Sequence, residues 1–81
     1  ICGSHEGIMQ KMERLNMNVL HASFGKKVAN PDGDVVFMVL YYANSQGTST
    51  AAVLTMPNDP TACLLFVTFD VTLAPEKKQN F

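Results

Sequence analysis

The apolar side chains change their rhythm near Met17, and that change constrains the fold more than any other feature. Before it, Ile8, Met12 and Leu15 fall at i, i+4 and i+7, one face of a helix, with Met9 widening the stripe. Gln10, Lys11, Glu13 and Arg14 take the other side. Ser4 suits the N-cap, Glu6 puts an acid in the first turn, and Asn16 suits the stop. From residue 18 the period is two: Leu20, Ala22 and Phe24 point one way, Val19, His21 and Ser23 the other.

Further extended segments follow. Residues 35–42 form a continuous apolar run, which suits a strand covered on both faces. Residues 48–56 are rich in Thr, Val and Ala. In the last segment Cys63, Leu65, Val67, Phe69, Val71 and Leu73 make one apolar face, and Pro75 ends it. Asn30-Pro31-Asp32-Gly33, Asn44-Ser45-Gln46-Gly47 and Pro57-Asn58-Asp59-Pro60 read as turns, with Gly33 free to take a positive φ. Short turns force antiparallel neighbours. The expected fold is therefore α+β: one N-terminal helix packed on a four-stranded antiparallel sheet. It forms a single domain over residues 1–74, with a polar tail over 75–81.

A helix of about three turns covers one face of such a sheet and leaves the other open. The chain has 81 residues, of which 47% are apolar, and a domain this small buries only about 60% of its unfolded surface. A homodimer or a second domain is the expected cover for the remaining face. The start at Ile1, without Met or a charged-then-apolar leader, suits a processed chain or a piece of a longer one.

Other partner classes find little here. Net charge is −1, and Lys26-Lys27 and Lys77-Lys78 are isolated pairs, so no basic stripe offers itself to nucleic acid. No apolar run is long enough to span a membrane. No Gly-rich phosphate loop or other cofactor motif occurs, so no cofactor is expected. His5, His21, Cys2 and Cys63 lack metal-ligand spacing. The two cysteines could bridge, but reduced thiols and a cytoplasmic location are the expectation for so few.

Candidate chemistry gathers at the helix start. Free N–H groups there can polarise a carbonyl oxygen, and His5 or Glu6 beside them could act as general acid or base. The same residues also read as a capped, exposed turn. Ser23, Ser45 and Ser49 lack a nucleophile-elbow context. His21 reads as a partly buried strand histidine. Asp70 is an acid candidate only if its face is covered.

Several segments resemble the hotdog domain of acyl-CoA thioesterases. Ile1-Cys2-Gly3-Ser4-His5 is similar to the family's glycine-containing entry to its central helix. Val19-Leu20-His21-Ala22-Ser23-Phe24 resembles its Ser-Leu-His-x-Tyr-Phe strand, and Pro31-Asp32-Gly33-Asp34 the loop before its long strand. Gln46-Gly47-Thr48-Ser49-Thr50-Ala51 and Leu65-Phe66-Val67-Thr68-Phe69 resemble its later turn and final strand. The resemblance implies a hotdog-like fold that binds or hydrolyses an acyl thioester. Gly3, Ser4 and Gly7 would lie near the acyl carbonyl, with His5 and Glu6 as the catalytic pair. A second resemblance, of Leu15-Asn16-Met17-Asn18-Val19-Leu20-His21-Ala22 to the helix-to-strand passage of ACT-like domains, implies a non-catalytic ligand-binding or dimerisation module. That family has a second helix before its last strand, where residues 44–62 carry Gly47, Pro57 and Pro60.

Overall fold

The structure, a computed structural model, describes residues 1–72. The polar tail expected over 75–81, and Pro75 as the end of the last strand, lie outside the described residues. The elements are β1 (Cys2–Ser4), α1 (His5–Arg14), β2 (Met17–Lys26), β3 (Val35–Asn44), β4 (Thr50–Thr55) and β5 (Thr61–Thr68). They form one five-stranded sheet in the order β1-β5-β4-β3-β2, with every neighbouring pair antiparallel.

The four-stranded, hotdog-like expectation is corrected here: the sheet has five strands. The additional strand is β1, expected as a turn leading into the helix. Three residues, one of them glycine, are too few to show a two-residue rhythm. They pair across the sheet border with β5 in the register Cys2↔Cys63, Gly3↔Ala62, Ser4↔Thr61. Residues 44–62 hold β4 and its turns, so the second helix of an ACT-like arrangement is not there.

Local signals place α1 as expected. Ser4 is the N-cap in an extended conformation, and its Oγ accepts from the Gly7 N–H at 3.0 Å. Leu15 is the C-cap, and Asn16 follows at φ 59°, the left-handed position that glycine or asparagine takes past a helix end. Ile8 and Met12 are buried against Met17, Tyr42, Ala51, Val53, Ala62 and Leu64, with Met9, Leu40 and Val67 at the margin. Leu15, expected on that face, is 44% exposed because the helix has already ended.

Strand registers break in places the residue pattern did not foretell. Between Val19 and His21 the pairing with β3 shifts by one, so Leu20 bulges. Val19 opposite Tyr42, Ala22 opposite Leu40 and Phe24 opposite Met38 therefore share the helix side, while His21 and Ser23 point away. A second shift, opposite Ala52/Val53, makes Leu65 the extra residue of β5. Helix-side positions are then Ala62, Leu64 and Val67, so the odd-numbered apolar face expected from 63 to 73 is divided. The strand also stops at Thr68, before Asp70 at φ 55°. The turn at 30–33 is held by Asn30, whose Oδ1 accepts from Asp32 N and whose carbonyl accepts from Gly33 N. The positive φ expected at Gly33 occurs instead at Gly47, in the next turn.

The two cysteines are bridged, Cys2 to Cys63, which corrects the expectation of reduced thiols. The register explains it. The two residues face each other directly across an antiparallel pair, with their Cα atoms 4.0 Å apart.

Candidate functional site

The residues singled out at the helix start do stand together. Gly3 and Ser4 end β1, and His5, Glu6 and Gly7 open α1. All but the half-buried Gly3 are exposed. Two of the N–H groups that could have met an acyl carbonyl are already engaged. His5 N donates to Pro60 O at 2.7 Å, and Gly7 N donates to Ser4 Oγ. The chain uses this corner to tie the helix to the turn before β5.

Two clefts open at the other end of α1. One, about 260 Å³, lies between Leu15, Met17, Val67 and Phe69 on its apolar side and Asn44, Thr48, Ser49 and Asp70 on its polar side. The second, about 570 Å³, continues past Glu13, Asn16, Asn18, Ser45 and Gln46. Their polar groups mostly serve the β3–β4 turn. Asn44 Oδ1 accepts from Thr48 N at 2.8 Å and from Ser49 N at 3.2 Å, and its Nδ2 donates to Thr48 Oγ1 at 2.9 Å. Ser49 is buried and donates its hydroxyl to Thr68 O at 2.6 Å, which leaves it braced rather than activated. No histidine lines either cleft; their carboxylates are Asp70 in the first and Glu13 in the second. Among the described residues, no group of three or more His, Cys, Asp or Glu could hold a metal ion.

The outer face of the sheet is the more extensive feature. Across it, His21, Tyr41, Ala52 and Phe66 lie in one lateral row of four strands. The His21 and Tyr41 rings sit 4.6 Å apart, tilted by 34°. Ala52, between Tyr41 and Phe66 in that row, is fully buried, whereas Phe66 is 46% exposed. The next row runs Ser23, Val39, Leu54, Cys63 and Cys2. At its far end Phe37 lies across from Gly25, where its ring occupies the space a Cβ would need. Between the strand ends, no outward position on β2 to β5 carries Asp, Glu, Lys or Arg.

No protein-family model, curated protein or solved structure matches this chain. Its site is therefore read from its own geometry. No described helix is long and apolar enough to cross a membrane. Sequence reasoning named the open second face but not the residues that make it. The bulges at Leu20 and Leu65, and a third register shift at Gly25/Lys26, lie between the sequence and that face, and only the paired registers reveal which side chains share a row.

Proposed function

We propose that this chain is a non-catalytic interaction module that pairs two copies of itself through the outer face of its sheet. The observation that carries the reading is the uncharged, ring-rich row of Tyr41, Ala52 and Phe66, with Val39 and Leu54 beside it, on a face that no described element covers. A second copy fits as occupant on two grounds. Between the strand ends the face carries no formal charge, so there it meets its own copy without repulsion and offers a charged partner nothing to pair with. The area is also of the right order. Four strands about 4.8 Å apart, used over roughly seven residues of about 3.3 Å rise, project ~450 Å². That is roughly half the ~800 Å² per copy of a standard interface, the scale of a weak pairing.

The acyl-thioester reading ranks below this one. It rests on the residues of the helix start, where His5 and Glu6 are exposed and the N–H groups of His5 and Gly7 are taken. The bridge also favours an oxidising compartment over the cytoplasm for the folded chain.

Sedimentation equilibrium tests the pairing. The chain is expected to be a dimer at micromolar concentration. Phe66→Glu, which adds a charge to a side chain already half in water, should yield monomers with an unchanged far-ultraviolet spectrum. Wild-type chain that sediments only as a monomer at that concentration rules the reading out.

A further inference from the structure

We infer that the Cys2–Cys63 bridge is a redox latch on one border of the sheet: its reduction frees β1 and opens the edge of β5, while the rest of the domain stays folded. Both cysteines end the outer-face row of Val39 and Leu54, so the inference concerns the unpaired chain.

β1 has little besides the bridge to hold it. It is three residues long, Cys2 and Ser4 are exposed, Gly3 is half-buried, and none brings a large apolar side chain to the core. Its ladder is short. Beyond its three-pair register with β5, Leu64 N donates to Ile1 O at 2.7 Å, the Ile1 amino group donates to Leu64 O at 3.3 Å, and His5 N donates to Pro60 O at 2.7 Å. The first strong anchor after it is Ile8, 4% exposed, on α1. Breaking the bridge therefore releases only the few residues before that anchor. The long-loop entropy that such a bridge removes from the unfolded chain does not enter this local step.

The bridge is also within reach. Cys2 is exposed and Cys63 half-buried, so a dithiol reductant can approach the sulfur pair from solvent. The chemistry is ordinary thiol–disulfide exchange. A thiolate of the dithiol attacks one sulfur of the bridge, forming a mixed disulfide and expelling the other cysteine as a thiolate, which takes a proton. The second thiol of the reductant then resolves the mixed disulfide. Two electrons have moved, both cysteines are thiols, and the reductant has become a disulfide. Leu64 then loses the Ile1 carbonyl that its N–H bonded, and the β5 edge from Thr61 to Leu64 stands unpaired.

Amide hydrogen exchange on the monomeric Phe66→Glu chain, with and without dithiothreitol, tests this. On reduction, the Leu64 and His5 amides should exchange at least about tenfold faster, while the Tyr42 and Val53 amides of the central strands keep their rates. The double variant Cys2→Ser, Cys63→Ser should show the same pattern without reductant, and dithiothreitol should then change nothing. If Leu64 stays as protected after reduction as before, the bridge is a passive brace and the inference fails. If all amides accelerate together, the bridge staples the whole domain, and the inference fails equally.

Discussion

Tyr42 shows how one residue ties the fold to solution conditions. It is 4% exposed, packs under α1, and donates its hydroxyl to Met9 Sδ at 3.0 Å. Burial raises its pKa above the ordinary tyrosine value, because a phenolate there would lose its hydration. The folded chain thus holds the phenolic proton more tightly than the unfolded chain does. That contribution is complete below about pH 10, the unfolded value, and is lost as pH rises through the higher folded value. Denaturant midpoints of wild type and Tyr42→Phe measured from pH 8 to 11 should diverge at the alkaline end, with wild type falling faster. Parallel curves would mean that the phenol titrates alike in both states. Ser4 and Asn16 were legible at this scale, since capping chemistry is local and their partners lie within three residues. The bridge was not, since Cys2 and Cys63 become opposite only through a ladder between chain segments 61 positions apart.

Among the elements, α1 depends most on a single contact set. Met12 is 1% exposed and, with Val53, is one of the largest side chains fully buried in the described residues. It projects into the sheet between Ile8 and Met17. A ten-residue helix has little stability of its own, so its docking decides whether it forms. Met12→Ala should cost about 2–4 kcal/mol in urea unfolding, from lost transfer energy and an unfilled cavity. A loss under about 0.5 kcal/mol would show that α1 is not the lid of this core. The switch from helical to extended rhythm was readable because ten residues on either side repeat it. What escaped reading were one-residue events. The bulges at Leu20 and Leu65 each exchange the faces of the rest of a strand, and nothing in the side chains flanking them announces the shift. Likewise β5 ends at Thr68 because the backbone turns left-handed at Asp70, although the apolar alternation continues beyond it.

For the whole molecule, burial is the limiting quantity. Apart from the alanines, the core of the described residues consists of Ile8, Met12, Met17, Tyr42, Val53 and Leu64. Phe24, Leu65, Phe66 and Phe69 all remain more than two-fifths exposed. A chain of this size has little margin between burial and chain entropy, and further burial is available on the outer sheet face. If a second copy covers that face, folding and association are linked, and the thermal midpoint must depend on protein concentration. Each tenfold increase in concentration favours the dimer by about 1.4 kcal/mol, which for two such chains raises the midpoint by roughly 3–5 °C. Scans from 1 to 100 μM should show that rise for wild type, and Phe66→Glu should give a flat line at a lower midpoint. A midpoint that ignores concentration in the wild-type chain would mean that the fold completes itself with the outer face in water, and that its rings serve the single chain alone.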